Sequence, residues 1–588
     1  MEPKQVPKKK PRIICNTGDT EYEVVKHVAQ KSMGWQLNND FTNDEFDIEW
    51  TDSSVSPDKL MKMRPYQKIN HFPGMYGICK KNYLAWNLNR MLKMFPTDFG
   101  FFPKTWVLPG DWIDFKNSFH KNKTFILKPE ASCQGKGIFL VKKIEDVDPT
   151  GRFVAQQYLK DPYLIEGFKF DLRIYVLVTG CSPLRVYIHE SGLARLATEA
   201  FVPPVSENLT DMCMHLTNYA INKNSSKFVF NEDSAVDDVG HKRSLASIYK
   251  LLEAEGCDVE KLKGNIEGII MKTLCSVQPY LAHLFRSCQP DEYSNSMCFE
   301  VLGFDVILDS NLKPWVLEVN HTPSFSTDSP LDWKIKKGLI KDTMRILGVK
   351  AKTRKKYFTE KKKEIMKRAL TGKNCKESKE EKIELTKSAQ ALRDKWENNH
   401  LGGFKRLYPE DYEKFLNGAN TIYTELTGTN ICRFKKPLDK LEPTPPFTAK
   451  TARKPVNPTQ NPEKLFLSTS RNLSQSPSRS PYKPNIPPIS QNSHHWLRPS
   501  EQPSNLFNIQ DQVLKASKRT THKSVEIPSL FLDHKKPLPS KFDYSYLPGN
   551  YLHPKTFEFI PKTRIPDTTF KLPKKASKIR HAFTSVFN

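Results

Sequence analysis

The sequence predicts an α+β fold followed by a long polar region. Two segments, 244–282 and LIKDTMRILG (339–348), have the apolar spacing of helices, and the second ends at a glycine. Five short runs between residues 124 and 190 are rich in β-branched and aromatic residues, as strands are: TFILKP, GIFLV, FVAQQYL, LRIYVLV and LRVYIHE. We therefore expect a substantial sheet flanked by helices.

Composition changes along the 588 residues and predicts the domain order. Residues 31–345 look globular, residues 351–400 hold 16 Lys and Arg against 8 Asp and Glu, and the last 150 residues are rich in Pro, Ser and Asn. We predict a disordered basic N-terminus (1–30), an N-terminal domain (31–108), a central lobe (109–182) and a C-terminal lobe (183–348). A basic helical region (349–425) and a disordered tail (426–588) follow.

The charge balance predicts an acidic partner. Lys and Arg number 91 and Asp and Glu 65, which gives a formal net charge of +26. Such an excess suits nucleic acid, an anionic membrane or an acidic protein surface, and charge alone does not choose among them. The 11 Cys include no CxxC pair, which favours reduced thiols, and no apolar run approaches the roughly 18 residues of a membrane span. We expect a cytoplasmic protein.

Two neighbouring strands carry acidic residues that predict a metal site. VLGFDVILD (301–309) and KPWVLEVN (313–320) form a hairpin. If Asp309 pairs with Pro314, Asp305 lies opposite Glu318, and Asn320 shares their face while Leu317 and Val319 enter the core. Facing carboxylates repel each other, and two carboxylates with an amide oxygen are ligands that Mg²⁺ accepts. The alternative is an exposed hairpin face with solvated acids.

A glycine-rich loop upstream could bind phosphate. In TFILKPEASCQGKGIFLV (124–141), a strand ending near Lys128 leads into a loop with Gln134 and Gly135 and then into a second strand. Glycines let backbone N–H groups approach phosphate oxygens, although a plain hairpin turn has the same composition. The segment is not a Walker A motif, because a strand follows where a helix would be needed.

These segments, taken in order, resemble the tubulin tyrosine ligase-like enzymes, and within them the polyglutamylase branch. The resemblance spans about residues 35–345 and rests on YQKINHFPGM, ILKPEASCQGKGI, QQYL, EGFKFDLRIYVLV, GLARLAT, MHLTNYAINK and CFEVLGFDVILD…KPWVLEVNHTPSF. It implies an ATP-grasp fold with ATP and Mg²⁺ between two lobes. It also implies ligation of an amino acid to a tubulin tail through an acyl phosphate.

The resemblance assigns roles to individual residues. The metal ligands are Asp305, Glu318 and Asn320, and the catalytic residues are Arg173, Glu318 and His321. Arg195, Tyr219 and Lys242 are expected to hold the incoming glutamate, with Arg243 an equally plausible donor in place of Lys242. His321 is open between binding the acceptor peptide and a structural role. The nucleotide contacts are Lys128, Gln134, Gly135, Gln156, Gln157, Tyr158, Leu159, Lys169, Phe170, Asp171, Thr217 and Asn218.

The expected function is ATP-dependent ligation of free L-glutamate to tubulin tails, with residues 351–400 engaging the microtubule. A glycine ligase of the same family and a non-catalytic basic microtubule-binding protein are the alternatives. We expect a monomer on the cytoskeleton, at the axoneme and basal body of a cilium or flagellum, and we expect neither a membrane nor a nucleic acid as partner.

Overall fold

The computed structural model describes residues 12–119, 123–130, 132, 134–233, 235–371 and 378–428. These residues form a mixed helix-and-strand structure with three sheets, so the α+β prediction is confirmed. The prediction of a disordered tail falls almost wholly outside the described residues. Among the described helices, none combines the length and the apolar character that crossing a membrane requires.

The first sheet is parallel, with strand order β2-β1-β3-β4. Its first strand and first helix lie inside the segment predicted to be disordered, so that prediction is wrong for residues 14–27. The apolar residues Val24 and Val25 explain the order, because both pack into the core. The strands are β1 (Ile14–Asp19), β2 (Gln36–Asn38), β3 (Ile48–Thr51) and β4 (Lys68–Ile69), and the helices are α1 (Glu23–His27), α2 (Pro57–Lys62), α3 (Tyr76–Cys79) and α4 (Lys81–Met94).

The second sheet is antiparallel, with strand order β5-β8-β6-β7. It consists of β5 (Thr105–Val107), β6 (Phe125–Pro129), β7 (Phe139–Val141) and β8 (Phe153–Gln157), with the helix α5 (Trp112–Asn117) beside it. Because β5 pairs with β8, the boundary predicted after residue 108 is wrong: it separates β5 from its own sheet.

The third sheet is built around one long strand, β10. Its strands are β9 (Leu164–Ile165), β10 (Phe168–Cys181), β11 (Leu184–His189), β12 (Leu193–Ala200), β13 (Lys242–Ser244), β14 (Glu300–Leu308), β15 (Pro314–Asn320) and β16 (Phe404–Leu407). Strand β10 pairs antiparallel with β9, β11, β12 and β14. The boundary predicted at residue 182 is therefore also wrong, since β10 belongs with the strands that follow it.

After β12 the described residues form eight α-helices, and some of these pack on the two faces of this sheet. They are α6 (Met212–His215), α7 (Tyr219–Asn222), α8 (Leu245–Ala254), α9 (Val259–Cys288), α10 (Pro330–Ile346), α11 (Ala351–Thr371), α12 (Lys379–Asn398) and α13 (Glu413–Thr427). The helical segment expected over 244–282 is two helices, because Gly256 adopts φ +81° and ends α8. Besides helices, the basic region supplies β16, which the sequence analysis missed and which pairs with β11.

The two faces of β10 belong to two hydrophobic clusters. Side chains alternate along a strand, so Leu172 and Ile174 pack in the cluster that includes α9, whereas Tyr175 and Leu177 pack in the cluster that includes α10. The odd-numbered residues nearer the start of β10, at 169, 171 and 173, are charged. The strand thus passes from a core into a polar site on the same face.

Candidate active site

A row of charged side chains crosses five neighbouring strands of the third sheet. Lys242 on β13 lies opposite Arg195 on β12, and Arg195 lies opposite Asp171 on β10. Two residues further along β10, Arg173 lies opposite Asp305 on β14, and Asp305 lies opposite Glu318 on β15. The register therefore brings together residues that are up to 147 positions apart in the sequence.

Two arginines neutralise the centre of this row. Arg195 donates from Nε and Nη2 to the two carboxylate oxygens of Asp171, over 2.7 and 2.6 Å, and its Nη2 also lies 2.7 Å from Asp305 Oδ2. Arg173 donates to Asp305 from Nε and Nη2, over 2.5 and 3.0 Å. Burial disfavours the charged form of Asp305, but the two arginines outweigh it and hold the pKa of Asp305 well below its usual range.

The predicted metal ligands meet at the edge of the row. The carboxyl groups of Asp305 and Glu318 are in hydrogen-bond contact, and the Asn320 side-chain nitrogen lies 3.5 Å from Asp305 Oδ2 and 3.3 Å from Glu318 Oε1. Burial, followed by the charge of Asp305, raises the pKa of Glu318. Adjacent buried carboxylates require a proton or a cation between them. The two acids and the amide fit a hard cation such as Mg²⁺, which takes its other oxygens from water and phosphate.

The three predicted ligands are few for a metal site built from protein side chains alone. In the described part of the chain, no three His, Cys, Asp or Glu side chains are arranged to hold a metal ion. The predicted set does not meet that criterion, because its third member is an amide. Three protein ligands would leave the remaining positions of an octahedral ion for water and substrate.

The hairpin register is correct at the site and wrong at the turn. Asp305 faces Glu318 as predicted, but Leu308, not Asp309, pairs with Pro314. The register shifts by one residue between Asp305 and Val306, which leaves Leu317 as an extra residue on β15. Leu317 is consequently only half-buried, and Val316 takes the core position expected for it.

Two buried lysines face this site without an acidic partner among the ion pairs of the described residues. Lys128 Nζ donates to Gln156 Oε1 over 2.9 Å, and Gln156 in turn donates to Thr105. Lys169 Nζ donates to Tyr158 Oη and to the His215 carbonyl, each over 2.8 Å. Burial lowers the pKa of Lys128 to about 8 and that of Lys169 to about 7. An anionic ligand would restore full charge to both.

The glycine-rich loop approaches the helix that follows Asn218. Gln134 and Gly135 adopt φ of 59° and 81°, and a Cβ on Gly135 would lie 3.2 Å from the Asn218 side-chain carbon. The same Cβ would lie 2.6 Å from Ile221 Cδ1, and the positive φ is one that residues with a side chain rarely adopt, so both the space and the backbone favour glycine. Thr217, next to Asn218, donates to Asp171 Oδ2 over 2.8 Å and so links this segment to the charged row.

Not every predicted nucleotide contact presents its side chain here. The Phe170 side chain points to the opposite face of β10, where it is buried in the hydrophobic core, so Phe170 has only its backbone on the side of the site. Gln156 and Tyr158 are buried and hold the two lysines. Gln157 and Leu159 are half-buried at the end of β8.

The expected glutamate-binding residues lie together beside Arg195. Lys242 Nζ lies 3.8 Å above the Tyr219 ring and 2.6 Å from Asp332 Oδ2. Arg243 points elsewhere and forms a two-point ion pair with Glu166. Of the two donors that the sequence left open, the structure therefore places Lys242 next to Tyr219.

His321 lies where β15 meets the first sheet. Its Nε2 is 3.1 Å from Ser54 Oγ, and its ring centroid is 5.8 Å from that of His71. His71 is buried and hydrogen-bonded to Glu300. Burial lowers the pKa of His321, and His71 contributes to the shift. His321 is thus adjacent to the predicted metal ligands and to the N-terminal part of the chain.

The border of the site includes three residues that were not predicted: Asp332, Lys336 and Ser54. Asp332 and Lys336 lie in DSPLDWKIKK, which resembles an ordinary capped helix start followed by a charged helix face. Ser54 lies in a polar loop more than 260 residues before His321. No local pattern distinguishes these residues from solvent-exposed ones.

The chain is similar in sequence to several named proteins over 70 to 73% of its length. It is 51% identical over 438 residues to a Tetrahymena thermophila protein named "Probable beta-tubulin polyglutamylase", covering 73% of this chain and 37% of that protein. It is 45% identical over 422 residues to human tubulin polyglutamylase TTLL6, covering 70% and 46%, and 36% identical over 455 residues to human tubulin polyglutamylase TTLL7, covering 72% and 50%. The chain thus spans half or less of the length of these relatives.

A family model supports the same relationship. The model described as the tubulin-tyrosine ligase family matches residues 59–357, which is just over half of the chain and contains every strand of the charged row. The charged row, the two buried lysines and these sequence similarities lead to one conclusion: the chain belongs to the tubulin-tyrosine ligase family.

Proposed function

We propose that the protein is an ATP-dependent ligase that adds glutamate to glutamate residues of tubulin C-terminal tails. The names of the relatives and the family membership support this assignment. The observation that carries it is the paired carboxylates Asp305 and Glu318 facing two buried lysines, Lys128 and Lys169, that form no ion pair with any described residue. Such a site suits a magnesium nucleotide, because the metal meets the acids and the phosphates meet the lysines.

In this proposal the chain has an ATP-grasp fold, and ATP with Mg²⁺ supplies the phosphoryl group that activates the acceptor carboxylate. Lys128 and Lys169 bind phosphate oxygens, and Asp305, Glu318 and Asn320 hold the cation. The backbone at Gly135 approaches the nucleotide, with Thr217 and Asn218 beside it. Arg173 is the cation nearest the predicted metal ligands and stabilises negative charge on the transferring group.

The incoming glutamate lies beside Arg195. Arg195 already binds Asp171 and Asp305, so its position is fixed by contacts among three strands, and Lys242 and Tyr219 lie next to it. Arg195 and Lys242 place two cations side by side, which suits an amino acid with two carboxylates. The fixed geometry aligns amine and acceptor, which is a main source of rate in a reaction of two substrates.

A glycine ligase of the same family is the second candidate. Arg195 could hold the single carboxylate of glycine, but glycine would leave Lys242 without an anionic partner from the substrate. A non-catalytic microtubule-binding protein is the third candidate, and it gives no reason for Lys128, Lys169 and the paired acids to be buried together.

Incubating the full chain with microtubules, ATP and either labelled glutamate or labelled glycine tests the proposal. We expect labelled glutamate on the tubulin tails, dependent on both ATP and Mg²⁺. Incorporation of glycine alone would favour the second candidate, and incorporation of neither amino acid would refute a ligase activity on this acceptor.

Helix α11 favours the microtubule as the form of the acceptor. Residues 361–370 are exposed throughout, and within them Lys361, Lys362, Lys363, Lys367 and Arg368 outnumber one acid. An exposed cationic helix attracts glutamate-rich tails over a Debye length of about 8 Å at physiological salt. We accordingly propose a cytoskeletal location, with the axoneme and basal body of a cilium or flagellum as the site to examine first.

A further inference from the structure

Asp332 is a buried acid next to the expected glutamate site and has no role in the function proposed above. It is fully buried in the first turn of α10, where its own N–H donates to Ser329 Oγ. An acid in the first turn of a helix is normally exposed. Here both carboxylate oxygens bind lysines: Lys242 lies 2.6 Å from Oδ2, and Lys336 lies 3.0 Å from Oδ1.

The contacts of Asp332 fix the position of Lys242. The lysine ammonium lies between the carboxylate of Asp332 and the face of the Tyr219 ring, and its strand position is directly across from Arg195. A lysine side chain in water samples many rotamers, and an ion pair with a buried acid removes most of that freedom. Asp332 thus holds one cation at a defined place beside another.

The charges around Asp332 are not balanced. The carboxylates of Asp171 and Asp305 match the guanidinium groups of Arg173 and Arg195 one for one. By contrast, the single carboxylate of Asp332 serves two buried lysines. Asp328 is also near, since it hydrogen-bonds Tyr219, but it is exposed to solvent, which screens it. Positive charge therefore remains on the side of the site where Lys242 lies.

We propose that Asp332 is a positioning residue that holds Lys242 for the side-chain carboxylate of the incoming amino acid, and so selects a dicarboxylic over a neutral donor. The proposal rests on the ligase function proposed above. Arg195 then takes one carboxylate of the donor, and Lys242 takes the other. A purely structural role for Asp332 would affect folding without favouring one donor over another.

The experiment measures initial rates of labelled glutamate incorporation into microtubules by the full chain, with glutamate and ATP varied in turn. We expect Asp332→Asn to raise the KM for glutamate about tenfold or more, since a charged hydrogen-bond partner is lost, and to leave the KM for ATP within about twofold. Lys336→Met is the matched control. It removes the other lysine from the same carboxylate but leaves Lys242 paired with Asp332, so we expect it to raise the KM for glutamate much less than Asp332→Asn does.

A double-mutant cycle separates positioning from structure. If Asp332 acts through Lys242, Lys242→Met raises the KM for glutamate as Asp332→Asn does, and the double variant is no worse than Lys242→Met alone. Additive effects of the two substitutions would overturn the proposal. Because Asp332→Asn leaves two buried lysines without an acid, it could fail to fold, and the charge-balanced double variant Asp332→Asn/Lys336→Met then takes its place with the same expected rise.

The possible failures are distinguishable. A wild-type chain that incorporates no glutamate would refute the ligase function and this inference with it. A wild-type chain that incorporates glutamate, alongside a folded Asp332→Asn or charge-balanced variant with an unchanged KM for glutamate, would overturn only the role of Asp332.

Discussion

Two buried charge clusters lie along strands β10 and β11, and they differ in how completely they are satisfied. The first, which we call the closed cluster, surrounds Glu397 of α12. Glu397 accepts hydrogen bonds from Arg185 and Arg393, each over 2.7 Å, and from the Tyr187 hydroxyl over 2.6 Å. Thr179 adds a fourth donor at 3.3 Å. All of the acid's binding capacity is used within the chain.

The second cluster, at the candidate active site, is open. Asp305 and Glu318 present adjacent carboxyl groups, while the hydrogen-bond partners that Lys128 and Lys169 have in the described part of the chain are all neutral oxygens. Burying such groups costs free energy that a closed cluster would recover. Both clusters bury charge, so burial of charge alone does not identify a functional site. The distinguishing feature is charge that is buried and left for a ligand to complete.

The largest expected effect comes from removing one acid of the open cluster. Glu318→Ala should lower ligation on the order of 1000-fold, because a metal ligand and a charge at the reacting groups are lost together. Labelled glutamate incorporation measures the loss. The same variant should still sediment with microtubules, because the contacts proposed for α11 are unchanged; a fully active variant would contradict the metal assignment.

The matching substitution in the closed cluster should affect stability instead. Glu397→Ala removes the acid from the buried Arg393, while Arg185 keeps its ion pair with the half-exposed Asp394. The loss should lower the free energy of unfolding by about 3 kcal/mol. Denaturant unfolding measures the change. Glu260, in an exposed ion pair with Lys263, provides the control, since Glu260→Ala should cost no more than about 0.5 kcal/mol. Equal effects of the two substitutions would contradict the closed cluster as a source of stability.

The open cluster also predicts a pH dependence of nucleotide binding. Because the pKa of Lys169 is lowered to about 7, this lysine loses its proton above pH 7 when no anion is bound. ATP binding requires the charged form, so the affinity for ATP should fall by up to about tenfold as the pH rises from 7 to 8.

Titration of a non-hydrolysable ATP analogue at several pH values measures this slope. Lys169→Met should bind more weakly at pH 7 and should show a shallower slope between pH 7 and 8, because the remaining Lys128, with a pKa of about 8, is only half deprotonated at pH 8. A variant with the same slope as the wild type between pH 7 and 8 would exclude Lys169 as the titrating group.

The smallest effect is expected far from both clusters. Replacing Lys362, Lys363 and Lys367 on α11 with glutamine should weaken microtubule binding a few-fold at low salt, with less difference at high salt. Co-sedimentation at two salt concentrations measures this. The same change at three other exposed lysines, Lys62, Lys93 and Lys143, is the control; equal losses would indicate a general charge effect.

Local sequence patterns were enough to predict the strands between residues 124 and 190 and the acidic hairpin, and to indicate the family. The strands from 124 to 190 are readable because β-branched and aromatic residues alternate or run together in short segments. Asp305 and Glu318 could be paired because a hairpin is a local structure. The register failed only at Leu317, since a bulge changes the count by one residue without any change in composition.

Tertiary packing determines which charged side chains pair within the charged row and which of them remain without an ion-pair partner among the described residues. Arg195, Asp171 and Asp305 come from three strands, and their pairing depends on strand order, which no local pattern encodes. Asp332 and Glu397 both look like ordinary charges on helix faces in the sequence, yet one binds two lysines beside the site and the other anchors α12 to the sheet. These two acids have specific partners because they are buried, and burial depends on how the whole chain packs.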